Sequence, residues 1–126
     1  MIFGREIRIK NESSKSESEA NETFDRMFLS AVEESMNLLG EAAKTAIFFL
    51  LKEEAGIKKE DVPKKPREFA YALRRILGNI GSQYVEELII RALYSKLGYN
   101  YEKSRGKEFH EYVEEARRKF KSMKQS

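Results

Sequence analysis

Residues 38–57 read LLGEAAKTAIFFLLKEEAGI, and where this stretch begins and ends decides the fold. Ala, Leu, Lys and Glu are strong helix formers, and Gly56 can take the left-handed conformation that closes a helix. Ile57 then supplies the apolar contact of a Schellman cap. Upstream, Phe24, Phe28, Val32, Leu39, Ala43, Ile47 and Leu50 recur mostly three, four or seven residues apart. That spacing makes one apolar face and predicts a long helix from between Asn21 and Asp25 to Gly56. About 33 residues would measure roughly 50 Å, against a radius of gyration of about 14 Å for a compact chain of this size. The helix must therefore bend, with Gly40 its weakest point, or project into another subunit. Its C-terminal half is apolar around most of its circumference, which fits deep burial or a dimer face. The candidate dimer residues are Phe28, Ala46, Ile47, Phe48, Phe49, Leu50 and Leu51.

Downstream, IKKEDVPKKP (57–66) is a turn-rich basic connection, with Pro66 suited to the first turn of a second helix. That helix carries Phe69, Leu73, Ile76 and Leu77 inward, and GNIGS (78–82) breaks it. A third helix presents Val85, Leu88, Ile89, Ala92 and Leu93 on one face, with Glu87–Arg91 as an i,i+4 pair. It ends at Leu97-Gly98-Tyr99, repeating the glycine-plus-apolar cap. A tail helix restarts between Ser104 and Lys107, with Phe109, Tyr112, Val113, Ala116, Phe120 and Met123 on one stripe. Its last turns, RRKFKSMK, hold five basic residues and no acid, which also suits the negative end of the helix dipole.

At the other end, MIFGREIRIK (1–10) alternates Ile7 and Ile9 with charges and predicts a short extended arm. NESSKSESEANE (11–22) has little to bury and predicts a flexible linker. The expected organisation is an arm and linker over 1–22, a helical domain over 23–102, and a basic amphipathic tail helix over 103–126. The fold class is all-α: one long N-terminal helix packed with two to three shorter ones, behind a short extended arm.

Of the 126 residues, 36% are charged and none is cysteine. The Lys- and Glu-rich surplus over the roughly 25% typical of globular proteins points to a thermophilic source. Without cysteine there is no disulfide framework, thiol nucleophile or thiolate zinc site, which fits a cytoplasmic protein. No apolar run approaches the roughly 20 residues that span a bilayer, and the N-terminus does not read as a signal peptide. The net charge of +3 gathers at the end of the chain, with −1 over 1–22, +1 over 23–97 and +3 over 98–126.

The pattern of LLGEAAKTAIFFLLKEEAGIKKEDVPKKPREFAYALRRILGNIGSQYVEELIIRALYSKLGYNYE resembles a family of small archaeal helical domains. It shares a long helix ending in a Gly-Ile-basic-acidic-Pro turn, then a Leu/Gly/Leu-Ile/Leu-Tyr series. That family includes stand-alone proteins of unknown function and the Nitrosopumilus output domain at the ends of archaeal signalling proteins. The resemblance covers residues 36–102, roughly half the chain. It implies an α-helical regulatory or interaction module, with no catalytic residues to carry over.

Familiar chemistries find little support. His-Glu-Tyr-Val-Glu (110–114) has the spacing of a zincin helix, but Glu114 stands where the second histidine would be, and the chain has one His. His110 reads instead as part of a solvated helix face opposite the apolar stripe. The adjacent pairs Glu33-Glu34, Glu53-Glu54, Glu86-Glu87 and Glu114-Glu115 diverge by about 100° around a helix and cannot share a proton or a metal. Gly78-Asn79-Ile80-Gly81 has the outline of a nucleic-acid-clamping GxxG loop, without its basic residues or flanking strands. No catalytic, cofactor-binding or metal residues are expected, and no cofactor.

The expected function is a non-enzymatic interaction or regulatory module, a homodimer that also engages another protein. The alternative is nucleic-acid binding through two basic clusters. These are Lys58, Lys59, Lys64, Lys65, Arg67, Arg74 and Arg75, then Arg117, Arg118, Lys119, Lys121 and Lys124.

Overall fold

Phe24 and Phe28 lie one helical turn apart and are both fully buried, so the helix that carries them is the spine of the molecule. The computed structural model describes the backbone of residues 2–125 and the side chains of residues 16–123. Among the described residues four α-helices follow one another: α1 (Ile2–Leu38), α2 (Glu41–Ala55), α3 (Pro66–Leu97) and α4 (Phe109–Gln125). A 3₁₀ turn, Lys59–Lys64, joins α2 to α3, and there is no strand among the described residues. The all-α class is as the sequence predicts.

α1, α3 and α4 pack on one another as a three-helix core, with α2 leaning on α1 and α3. A chain of phenylalanine rings runs through the centre. Phe120 of α4 meets Phe24 of α1 at 6.0 Å, Phe24 meets Phe28 at 6.4 Å, Phe28 meets Phe109 of α4 at 6.1 Å, and Phe109 meets Phe69 of α3 at 5.9 Å. Ring pairs at such separations add roughly 0.5–1.5 kcal/mol each to the gain from area burial. Val32, Met36, Leu73, Ile89 and Leu93 fill the space around them without exposure.

The single long helix expected up to Gly56 is two helices. Gly40 takes φ 97 and ψ 157, a backbone no side-chain-bearing residue adopts readily, and the chain turns there. The break at Gly40 sets α2 off as a separate helix, yet α1 alone, at 37 residues, is as long as the single helix expected. Likewise Gly78, at φ 78 and ψ 174, breaks α3 into two arms where GNIGS predicts an interruption. The Gly98 terminus is a Schellman cap, with Tyr99 N–H donating to the Tyr94 carbonyl and Gly98 N–H to that of Ser95. Gly56 ends α2 with a turn one residue wider, Ile57 N–H reaching Leu51 and Gly56 N–H reaching Lys52.

Two boundaries differ from expectation. The backbone is helical from Ile2, where an extended arm over 1–10 and a linker over 11–22 were expected. The side chains of residues 1–15 lie outside the described residues, but Ala20 is buried in the core, so the helical domain starts before residue 23. At the other end α4 is no appendage to a domain over 23–102. Phe109, Tyr112, Val113, Ala116 and Phe120 all belong to the same core, because their spacing gives α4 a narrow apolar stripe with nowhere else to go.

Candidate functional site

The outer face of α2 carries apolar side chains that the fold leaves uncovered. Within α2 only Ile47 and Leu51, one turn apart, are buried. Ala42, Ala46 and Phe49, at i, i+4 and i+7, share the opposite face and are exposed, while Phe48 and Leu50 are half-buried at its flanks. Phe49 is 61% exposed, and Leu38, at the end of α1, is 75% exposed. Of the residues expected at a dimer face, Phe28 is therefore excluded because the three-helix core occludes it completely, and Ile47 and Leu51 are turned inward. Beside the C-terminal end of α2, an apolar cleft of about 360 Å³ opens between Ala55, Ile57, Tyr71, Ala72 and Ile76.

The basic residues do not form one field. Arg117 is a structural tie: Nη1 lies 2.8 Å from Asp25 Oδ1 and donates to Asn21 Oδ1 at 3.3 Å, and Nη2 donates to the Pro63 carbonyl at 2.9 Å. Its guanidinium also covers the Phe24 ring at 4.6 Å. One side chain thus fastens α4 to α1 and to the 3₁₀ turn, and it is lost to any phosphate. Lys59 is paired with Glu33, and Lys119 lies 4.3 Å over the Tyr99 ring. Lys64 shares a cleft with Glu17, Glu22, Asp25 and Glu114, which would repel a nucleic-acid backbone. Lys58, Lys65, Arg67, Arg74, Arg75 and Arg118 are exposed and Lys121 half-buried; the Lys124 side chain lies outside the described residues.

The third surface is a groove of about 1030 Å³ between α3 and the connection into α4. The connection is held by tyrosines. Tyr94 O–H donates to the Tyr112 carbonyl at 2.9 Å, and Ser104 N–H donates to the Tyr112 hydroxyl at 2.8 Å. Tyr101 packs between the rings of Tyr94 and Tyr112 at 5.8 and 5.6 Å. Burial, reinforced by the charge of Glu115 nearby, pushes the Tyr94 hydroxyl up to about 12. Exposed Tyr71, Tyr84 and Ile80 line the opposite wall with Arg67 and Arg74, facing Lys103, Arg105 and Lys107. Glu86 also lines it, with a carboxylate raised by burial, opposed by Arg74 and reinforced by Glu108.

His110 lies at this groove, 7% exposed, where the sequence predicts a solvated face. It sits at the start of α4, where residues of α3 and of the connection into α4 line the same groove. Tyr71, Tyr84, Lys103, Arg105 and Lys107 were not among the candidate site residues that the sequence offers. The legible signal was an aromatic residue off the apolar stripe, since Tyr71 falls between Phe69 and Leu73 and Tyr84 precedes Val85.

Comparison with protein-family models, curated proteins and solved structures gives no match for this chain. Among the described residues no helix is long and apolar enough to cross a membrane.

Proposed function

We propose that this chain is a non-enzymatic helical interaction module that pairs with a second copy of itself through the outer face of α2. The observation that carries this reading is Phe49, a large apolar side chain left 61% exposed on the helix face it shares with Ala42 and Ala46. Large contiguous exposed apolar patches mark interaction surfaces. A second copy suits it by shape and charge. In an antiparallel two-fold pair centred between Thr45 and Ala46, Phe49 of each copy lies opposite Ala42 of the other, large against small. The same register brings Lys52 within two residues of the other copy's Glu41, so the ends are complementary. A regulatory role for the dimer rests on the resemblance of residues 36–102 to archaeal output domains.

Size-exclusion chromatography with light scattering tests the pairing. The wild-type chain is expected to run as a dimer that dissociates on dilution, and Phe49→Glu as a folded monomer. A wild-type monomer at all concentrations would remove the proposal.

A second reading, single-stranded nucleic-acid binding, is favoured by the α3–α4 groove. Tyr71 and Tyr84 offer stacking faces beside Arg67, Arg74, Lys103, Arg105 and Lys107. Glu86, Glu87 and Glu108 in the same groove weigh against it. Binding of an oligonucleotide at about 50 mM salt that weakens steeply with added salt would support it, and no binding under those conditions would end it.

A further inference from the structure

At the first turn of α4, Glu108, His110 and Glu111 each offer one donor atom, and all three atoms lie within 4.8 Å of one another. His110 Nε2 is 3.0 Å from Glu108 Oε2. Two donors bound at about 2.1 Å to one ion, at right angles, stand about 3.0 Å apart, and opposite donors about 4.2 Å. The His110–Glu108 spacing is therefore that of two donors on one ion, while the 4.8 Å limit on the other spacings is about half an ångström wider than an ion would draw them. Glu111 caps the Glu108 backbone N–H through Oε1 at 3.1 Å, which holds this carboxylate beside the imidazole.

The imidazole supplies an independent indication. Its side chain is 9% exposed, and its Nδ1 is buried without a hydrogen-bond partner, 3.6 Å from Glu114 Oε1. A carboxylate therefore faces each ring nitrogen. A neutral ring must turn a lone pair toward one of them: toward Glu114 if Nε2 holds the proton, toward Glu108 if Nδ1 holds it. Either a second proton or a metal cation on Nε2 removes the conflict; with a metal there, the remaining proton sits on Nδ1 and points at Glu114. That is the carboxylate–histidine–metal relay in which an outer carboxylate orients a ligating ring. Glu86 adds negative charge from α3, and Arg74 and the positive end of the α4 dipole oppose it. Lys107, the nearest other cation in sequence, is engaged with Glu115.

We propose that Glu108, His110 and Glu111 form a binding site for one divalent transition-metal ion of the zinc class on the wall of the α3–α4 groove. One imidazole and two carboxylates suit Zn²⁺, Co²⁺ or Mn²⁺ over the harder Ca²⁺ and Mg²⁺. Three protein donors leave positions open to water or to a group lying in the groove.

The test is calorimetric titration of the full chain with ZnCl₂, alongside His ring NMR spectra with Co²⁺. The chain has one histidine, so a single imidazole reports. Expected are one saturable site per chain, strong paramagnetic shifts of that ring, and affinity lower by about tenfold or more in Glu108→Gln and Glu114→Gln. Glu108 is largely exposed, so Glu108→Gln keeps its fold, which circular dichroism checks. An unperturbed ring, an absence of saturable binding, or Zn²⁺ binding unchanged by Glu108→Gln each overturn the assignment.

Discussion

α2 and α4 are helices of fifteen and seventeen residues, and they relate to the core in opposite ways. α2, EAAKTAIFFLLKEEA, is the more apolar, yet Ile47 and Leu51 are its only buried residues. α4 has eight charged residues in seventeen, yet Phe109, Tyr112, Val113, Ala116 and Phe120 are all buried. Hydrophobic content does not decide which helix enters a core; angular distribution does. The α4 side chains converge on one stripe that α1 and α3 can cover. In α2, 46–51 is a continuous run that passes around the helix, so one neighbouring surface covers part of it and the rest stays outside.

The largest test of this contrast is Phe109→Ala. Its ring touches both Phe28 and Phe69, and deleting a buried phenylalanine costs about 3–5 kcal/mol. A fall in Tm of roughly 10–20 °C is expected in thermal unfolding. A loss of a degree or two would mean that α4 is as loosely held as α2. Next in size is Arg117, which fixes α4 to α1 and the 3₁₀ turn. Arg117→Met leaves Asp25 without its cation and costs about 1–3 kcal/mol in urea unfolding. Arg117→Lys keeps the charge but cannot reach Asp25, Asn21 and the Pro63 carbonyl together, so it recovers only part of the loss. Equality of Arg117→Lys with wild type would show that charge alone matters.

The same contrast explains what was legible in the sequence. The helical class, the break at Gly78, the helix ends at Gly56 and Gly98 and the α4 stripe follow from local spacing and backbone conformation, which letters record, while Gly40 reads only as one of two ways to shorten a single helix. The inward turn of Phe28 depends on α3 and α4 arriving from far along the chain to occlude it, and spacing within one helix cannot report that. Arg117 is equally opaque: beside Arg118 and Lys119 it reads as surface charge, and only the fold reveals Asp25 and Pro63 beneath it. His110 follows the same rule, since the groove in which it lies is built from α3 and the connection into α4 as well as from α4 itself.

A smaller effect separates the two helices by pH. Tyr94 donates a buried hydrogen bond to the α4 backbone at Tyr112, and burial raises its hydroxyl from 10.0 to about 12. An acid with a raised folded-state value stabilises the fold fully below its unfolded value, and that contribution is lost as pH rises from about 10 through about 12. Alkaline unfolding should therefore release the α3–α4 contact. Tyr94→Phe should cost about 0.5–1.5 kcal/mol at pH 7 and flatten the stability profile above pH 10. A profile as steep as that of wild type would move the alkaline response to another group.

The smallest effect on the folded chain belongs to Phe49→Ala, and it bears most directly on α2. Because the ring is largely outside the core, its removal should change unfolding free energy by less than about 1 kcal/mol at concentrations where the chain is monomeric. At high protein concentration the comparison changes. If two copies cover the α2 face, wild-type Tm rises with concentration by mass action, and Phe49→Ala loses most of that rise. The two regimes separate the explanations for an exposed phenylalanine. A concentration-independent loss as large as that of Phe109→Ala would mean that Phe49 packs within its own chain, and α2 would no longer contrast with α4. A flat response at every concentration would leave the contrast intact and remove the second copy as the reason for it.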